Sequence, residues 1–485
     1  MACAGLCACA GSDDEGAATP SAGQQVPVSF TTSVSTTASD DDGDAGRVTR
    51  ATTGLIASLD DLKELGFGVF AYRTGNDAVG SSDYSRNWAG ATTNSDYTPI
   101  AGTADAYPTP DFMQNQQVYW GNQYQDEATG DWVQHWMYDP PKYWPNSTDN
   151  AAPRFISFFA YAPYFSSSDV STNTTGITGL TGVTVATVDG QEKTDKSPHL
   201  YYKVPTRLGD QIDLLWANCI DATRNGNGLI TIDGDTHTYQ DVPLAFHHAL
   251  SRLDVYVQRI YDGTVASPYE ANDTKIFVGQ LQLSAGNTMC AEGRLNLVNG
   301  KWTAETASDF SFTFDTNDMN PWVAGTTEGG ESFIRAYELD KWLWKWTDDG
   351  QRDDANGEQP TGVIGEERLL NQSTRALMFI PIEGQTITLT PRLKYSFVTR
   401  DEALQYDYLT DTSGRRFNRQ FFDRQAEPIK LTMEQGKYYK LLCHIGVEHI
   451  SFEVVSVEDW DFPMRFTTTV GNRETEVRHI TVKEN

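Results

Sequence analysis

Long apolar segments are missing from this sequence, and no run approaches the roughly 20 apolar residues that a membrane-spanning helix requires. Attachment to a membrane therefore needs a covalent lipid or a partner protein. Basic residues are also scarce, because 37 Lys and Arg stand against 66 Asp and Glu and give a net charge of −29. Such a surface repels phosphate backbones and anionic membranes, so we exclude nucleic acid as a partner.

Cysteine is scarce outside the first nine residues, where it occurs only at Cys219, Cys290 and Cys443. An odd and widely scattered trio provides no disulfide framework. We therefore expect each of these residues to be a single small, buried, apolar side chain.

Catalytic motifs are missing as well, since the sequence contains no serine nucleophile elbow, phosphate loop or paired-cysteine motif. The acidic stretches 348–358 and 407–411 supply carboxylates, but no spacing fixes two of them for glycoside hydrolysis, and we expect solvated loops. We predict no catalytic residue, no cofactor and no enzyme activity.

Histidine pairs suggest metal ligands, but their spacing argues against a metal site. His247 and His248 are adjacent, and neighbouring strand residues point to opposite faces, so we predict a packing or hydrogen-bonding role. His444 and His449 flank Gly446, which favours a hairpin or bend, and no nearby cysteine or carboxylate set completes a tetrahedral site. We predict no metal site.

Aromatic residues, threonine and glycine are abundant, and with 22 Tyr, 22 Phe, 12 Trp and 40 Gly they favour strands and turns. A chain of 485 residues is too long for one core. We predict two β-domains, at 51–240 and 241–485, after an N-terminal segment 1–50. A short helix capped at Ser58 or Asp60 is predicted over 55–65. Apolar and aromatic segments predict strands at 67–72, 117–120, 132–137 and 155–161, the second and third as a hairpin. Apolar residues two positions apart predict strands at 249–257, 275–283, 377–382, 386–393, 437–445 and 450–460.

The first fifty residues have the composition of a targeting segment with a proteolytic processing site. A small-residue run closes on Cys9, an acidic run follows at 12–15, and the segment ends at Arg47 and Arg50. This order is typical of a lipid-anchored export precursor. The basic start and apolar core of a signal peptide are missing from residues 1–8, so a cysteine-rich disordered start is the alternative. Within this segment, at residues 26–34, apolar residues alternate with Pro and Ser, which predicts one short strand.

A tryptophan cluster places Trp342, Trp344 and Trp346 on one face of a strand. Three exposed indoles suit stacking on sugars, whereas buried ones suit core or inter-domain packing.

Several segments, in their order and spacing, resemble the Bacteroidetes fimbrillins, the subunits of lipoprotein-derived pili. The resemblance covers most of the chain and rests on residues 66–72, 115–118, 142–145, 158–164, 213–217, 243–251, 436–439 and 457–460.

This resemblance implies an all-β fold of two transthyretin-like β-sandwich domains in tandem, with long loops and a few short helices. It also implies export as an outer-membrane lipoprotein, removal of the first strand by an arginine-specific protease, and polymerisation by strand exchange into a surface fimbria that supports adhesion. Cys9 is similar to the lipidated cysteine, with Cys3 and Cys7 as alternatives. Arg50 or Arg47 is similar to the cleavage point, and residues 26–34 correspond to the removed strand.

The expected donor is the tail 462–485, where residues 466–470 and 476–482 alternate like strands around Gly471-Asn472. Its candidate anchors are Phe466, Val470, Val477, Ile480 and Val482. The expected partners are other fimbrial subunits, an arginine-specific protease and the outer membrane. Such a tail favours a stalk subunit, with tip and anchor subunits left open. The alternative function is a surface lipoprotein that binds glycans through Trp342, Trp344 and Trp346 without polymerising.

Overall fold

The computed structural model describes the following parts of the chain: residues 27–34, 55–56, 58–75, 110, 112–125, 132–144, 155–166, 176–180, 185–188, 191–193, 198–206, 208–222, 229–232, 235–238, 241–261, 274–307, 310–314, 327–328, 331–332, 337–338, 345–346, 352–353, 362–363, 368–370, 376–400, 403, 405, 409–410, 416–446, 450–460, 467–470 and 473–476.

Strands make up nearly all of the regular structure. In the first half they are β1 Phe30–Val34, β2 Phe67–Gly75, β3 Met113–Gln125, β4 Trp132–Met137, β5 Phe155–Ala162, β6 Ile177–Leu180, β7 Val185–Val188, β8 Gln191–Lys193, β9 His199–Lys203, β10 Leu215–Ala222, β11 Leu229–Ile232, β12 Asp235–Thr238 and β13 Val242–His248.

The second half continues in the same manner. Its strands are β14 Ser251–Tyr261, β15 Thr274–Gly286, β16 Cys290–Asn296, β17 Trp302–Ala307, β18 Phe310–Phe314, β19 Thr327–Glu328, β20 Glu331–Ser332, β21 Tyr337–Glu338, β22 Lys345–Trp346, β23 Arg352–Asp353, β24 Gly362–Val363, β25 Arg368–Leu369, β26 Leu377–Phe379, β27 Thr386–Arg400, β28 Leu409–Thr410, β29 Arg416–Gln425, β30 Ile429–Thr432, β31 Lys437–Ile445, β32 Ile450–Asp459, β33 Thr467–Val470 and β34 Arg473–Glu476.

Helix is confined, within the described ranges, to α1 (Leu59–Leu65) and a single 3-10 turn at Leu208–Asp210. The Ser58 side chain accepts a hydrogen bond from the Asp61 amide at 3.2 Å and caps α1, as predicted. Gly66 ends the helix with φ +62°, a left-handed conformation that glycine adopts without strain. No described helix is long and apolar enough to cross a bilayer.

The strands form four larger sheets. Sheet A has seven strands in the order β1-β13-β10-β5-β2-β3-β4, and sheet B has four in the order β17-β16-β9-β6. Sheet C is built on β24-β14-β31-β32, with β25 and β26 beside β14. Sheet D is built on β18-β15-β27-β29-β28, with β21 and β30 at its sides. The predicted all-β class is confirmed, while the assignment to tandem transthyretin-like sandwiches stays a prediction.

Sheet A separates two hydrophobic cores. On β2, Phe67 and Val69 face one core, whereas Phe70 and Tyr72 face the other. β5 alternates in the same way, which explains its almost continuous apolar sequence, because a strand buried on both faces needs no polar side. The first core contains α1 and β1, and we call it the β1 core. The second core extends through sheets B, C and D.

The two halves of the chain share structure. Sheet B pairs β9 from the first half with β16 from the second. The predicted boundary at 240/241 precedes β13, which belongs to sheet A, and the chain enters sheet C only at Ser251. β11 and β12 pair antiparallel, with Ile232 opposite Asp235. A division into two domains therefore stays a proposal, with the change of sheet lying between His248 and Ser251.

The three single cysteines carry free thiols, and Cys290 and Cys443 are buried as predicted, whereas Cys219 is only half-buried. Burial raises the pKa of the Cys290 thiol to about 11 and holds the pKa of Cys443 well above its ordinary value. Both behave as small apolar side chains.

Candidate assembly site

Strand β1 lies at one edge of sheet A and runs parallel to β13. The register joins Phe30 to Val242 at one end and Val34 to Phe246 at the other. On its opposite side, β13 is in register with β10 only near its end, through His247 and His248. The stretch 242–246 therefore has β1 as its backbone partner, and loss of β1 would leave its amides and carbonyls without that ladder.

The inward face of β1 and of the residues just before it is buried and, apart from Thr32, apolar. Val28 is 3% exposed and Phe30 is 5% exposed. The Phe30 ring packs edge-on against three aromatic rings, with centroid distances of 5.9 Å to Phe67, 5.8 Å to Tyr138 and 5.8 Å to Phe158. Edge-to-face packing of this kind is favourable beyond simple burial. Phe30 is thus the main apolar anchor of the strand.

Two hydrogen bonds from aromatic side chains hold the same face. The indole Nε1 of Trp136 donates to Thr32 Oγ1 at 2.8 Å in a buried setting. The Tyr138 hydroxyl donates to the Val28 carbonyl at 2.7 Å. Burial raises the pKa of Tyr138 to about 12, so this hydroxyl keeps its proton at neutral pH and remains a donor.

The outward face of β1 is fixed by a carboxylate at the start of β13. Asp241 accepts hydrogen bonds from the hydroxyls of Ser29 and, at 3.1 Å, of Thr31. The amide of Val242 donates to the Ser29 carbonyl at 2.8 Å. Upstream, the Val28 amide donates to the Lys142 carbonyl at 2.9 Å. We call this cradle for β1, formed by β13, Asp241 and the rings of the β1 core, the β1 groove.

Of the predicted processing and donor residues, only Val470 lies within the described residues. A strand was predicted within 26–34 and is confirmed as β1. Cys9, Arg47 and Arg50 lie outside the described residues. In the tail, the strand predicted at 466–470 is found as β33, which ends at Val470. Its antiparallel partner is β34 at Arg473–Glu476, whereas the predicted partner was 476–482. The remaining donor candidates lie outside the described residues: Phe466, Val477, Ile480 and Val482.

The tryptophan cluster proposed for glycans lies mostly outside the described residues. Trp342 and Trp344 lie outside the described residues, and Trp346 is placed only as a backbone position in β22. The large aromatic side chains that the described parts expose lie elsewhere, at Tyr119, Trp132 and Tyr143.

The paired histidines separate as predicted. His248 is 1% exposed, its Nδ1 lies 2.8 Å from an Asp213 carboxylate oxygen, and its ring stacks on Trp460 at 4.0 Å. His247 faces Trp216 instead, with ring centroids 5.7 Å apart. The predicted hairpin around Gly446 is confirmed by the pairing of β31 with β32. Among the described residues, no group of three or more metal-ligating side chains is found.

Sequence reasoning missed the residues that form the β1 groove. The alternation of β13 predicts a strand, but nothing in it indicates a parallel partner more than 200 positions away. The roles of Trp136 and Asp241 follow only from that pairing.

The chain is similar to known fimbrial proteins over most of its length. A family model described as "Fimbrillin-like" matches residues 49–460. A fimbrium subunit, Fim1C of Phocaeicola vulgatus, is 24% identical over 417 residues, which cover 84% of this chain and 86% of that protein. The crystal structure of a fimbrial protein from Bacteroides vulgatus has a TM-score of 0.54 at 20% identity, with 90% of this chain and all of that chain covered. With this fold and a family match over most of its length, the chain belongs to the fimbrillin-like family.

Proposed function

We propose that this protein is a structural subunit of a surface fimbria and that it polymerises by strand exchange at the β1 groove. Membership of the fimbrillin-like family supports the role of a fimbrial subunit that acts in adhesion at the cell surface. The observation that carries strand exchange is the position of β1, an edge strand with a deeply buried inner face. Such a strand leaves a long apolar groove and unpaired backbone groups when it departs.

We further propose that the strand is released by cleavage after Arg47 or Arg50. These are the only basic residues before Lys63. Both lie between β1 and α1, so a cut there separates β1 from every other strand of sheet A. An arginine-specific protease therefore has two candidate sites upstream of α1, and both have the required effect.

Export as a lipoprotein anchored at Cys9 belongs to the same proposal. Cys9 precedes β1, so the cut at Arg47 or Arg50 would free the subunit from its lipid and open the β1 groove at once. The donor strand in this scheme is the tail after Trp460, whose segment Thr467–Val470 is already a strand. The proposed partners are thus a maturation protease, the outer membrane before cleavage, and other fimbrial subunits after it.

The experiment is to incubate the purified full chain with an arginine-specific protease, sequence the new N-terminus and examine unheated samples by SDS gel electrophoresis. We expect cleavage after residue 47 or 50, followed by ladders that collapse on heating. A matched control is the double variant Arg47→Lys, Arg50→Lys, which keeps both charges but removes both sites and should stay monomeric. Clean cleavage with monomers alone would refute strand exchange.

A second control separates the donor from the groove. The chain lacking residues 462–485 should be cut as the full chain is and yield no ladder. Ladders that persist without this tail would show that another segment is the donor.

A further inference from the structure

The tail contains a near-copy of the strand that fills the β1 groove. Residues 26–34 read Val-Pro-Val-Ser-Phe-Thr-Thr-Ser-Val, and residues 462–470 read Phe-Pro-Met-Arg-Phe-Thr-Thr-Thr-Val. Five of the nine positions are identical, and apolar or hydroxyl character is kept at three more. We propose that residues 462–470 of a second copy of this chain enter the β1 groove in the register of residues 26–34. This inference rests on the proposed strand exchange and specifies its partner and register.

The identical positions include the residues whose side chains contact the inward face of the β1 groove. Phe466 stands where Phe30 packs against Phe67, Tyr138 and Phe158. Thr468 stands where Thr32 accepts the indole hydrogen bond of Trp136. A donor without a side-chain acceptor at this position would leave a buried N–H unsatisfied, which is costly. The register is therefore specified, since a slip by one residue would turn Phe466 and Thr468 to the opposite face.

One difference favours the donor over the resident strand. Asp241 holds the hydroxyls of Ser29 and Thr31. In the proposed register Arg465 replaces Ser29 and Thr467 replaces Thr31. The hydrogen bond from the neutral Ser29 hydroxyl to the Asp241 carboxylate is thus replaced by one from the Arg465 guanidinium, so that donor and acceptor carry opposite charges.

Geometry assigns the donor to a second copy. In the proposed register Pro463 takes the place of Pro27. Pro27 lies three residues before Phe30, and Phe30 is opposite Val242, which lies six residues before His248. Nine residues of extended strand therefore separate the place of Pro27 from His248, which is about 30 Å. In its own chain, Trp460 is buried and its ring stacks on the imidazole of His248. Three residues span at most about 11 Å, so Pro463 cannot reach that place while Trp460 keeps its contact, even allowing for the two side chains.

The test is a disulfide cross-link between two separate preparations. Ser33 lies opposite Ala245, so the register places residue 469 opposite Ala245 of the accepting copy. Full chains carrying Ala245→Cys and Thr469→Cys are mixed, cut together with the arginine-specific protease and oxidised mildly. We expect a covalent dimer at ten times or more the yield obtained with Thr468→Cys, the matched control one residue out of register. Because residue 468 also accepts the Trp136 hydrogen bond in this register, both yields are divided by the amount of ladder that each pair forms. The unmodified chain controls for its own cysteines.

The outcomes separate the two proposals. If ladders form but residues 468 and 469 cross-link equally, or neither cross-links, the register is overturned. Strand exchange itself would still stand. A chain carrying both cysteines, cut at high dilution, should form no internal disulfide, and an internally cross-linked monomer would overturn the second copy as donor. Absence of ladders from the unmodified chain would refute strand exchange and this inference with it.

A charge variant gives an independent readout. Arg465→Ser copies the resident strand and should slow ladder formation up to about fivefold at low salt, whereas Arg465→Lys should keep most of the rate. The advantage of the unmodified chain should vanish at about 1 M salt, where exposed charges are screened. Equal rates for all three chains at low salt would overturn the assigned contact with Asp241.

Discussion

Replacing Phe30 with alanine should loosen β1 without unfolding the rest of the protein. The ring is 5% exposed and packs on three aromatic neighbours. Truncating a buried phenylalanine costs about 3 kcal/mol at the low end of the measured range, which suits an edge strand that can relax. Since 1.4 kcal/mol is a factor of ten, the population with β1 detached should rise about a hundredfold.

Hydrogen exchange of the uncut chain measures this opening directly. In Phe30→Ala the amides of β13 that depend on β1 should lose about a hundredfold of protection, because they become exposed whenever the strand leaves. The matched control is Phe312→Ala, which truncates a fully buried ring in the other core and should leave local exchange of β13 unchanged. Unchanged protection of residues 242–246 in Phe30→Ala would refute the assignment of this ring as the anchor of β1.

Three further outcomes are expected. Thr32→Val leaves the Trp136 indole without its acceptor and should lower the free energy of unfolding of the β1 core by about 1–3 kcal/mol, measured in urea, whereas Thr32→Ser should have little effect. Gly300→Ala should destabilise by about 3 kcal/mol, because φ is +70° and the new carbon would lie 2.2 Å from a Trp216 ring atom; an unchanged urea midpoint would contradict this. The Cys290 thiol, whose pKa burial raises to about 11, should resist alkylation at pH 8 until the protein unfolds. Since the folded pKa exceeds the ordinary value, the stabilising contribution of the buried thiol should be lost as the pH rises from 9 towards 11. The free energy of unfolding of the unmodified chain should therefore fall more over this window than that of Cys290→Ala, and equal slopes in the two chains would contradict this.

Local patterns in the sequence predicted strands well. The bounds of β31 coincide with the strand predicted at 437–445, and the strand predicted at 155–161 is found as β5. The cap at Ser58 was also visible, because the hydroxyl and the first helical turn are neighbours in sequence. Each of these features depends on residues within one short window.

Pairing between distant segments was not predictable in the same way. The alternation of β13 reports which side chains are buried but not which strand lies beside it, and the β1 groove exists only through that pairing. Sheet B likewise joins β9 to β16 across the predicted domain boundary. His248 was expected to have a packing or hydrogen-bonding role, but its partners could not be predicted, because Asp213 precedes it and Trp460 follows it at a long distance in the sequence. The candidate site was therefore recognisable as a strand near two arginines, but not as a groove.

The likeness of the two strands explains, on the proposed mechanism, why cleavage would control assembly. If residues 26–34 and 462–470 make almost the same contacts, their exchange gains little free energy by itself. While β1 is tethered through residues 35–54, its effective concentration at the groove is of the order of millimolar. A donor from another subunit at micromolar concentration is then outcompeted about a thousandfold, or by about 4 kcal/mol. Cutting after Arg47 or Arg50 removes that advantage, because a released fragment is diluted, and the Arg465 contact then tips the balance towards the polymer.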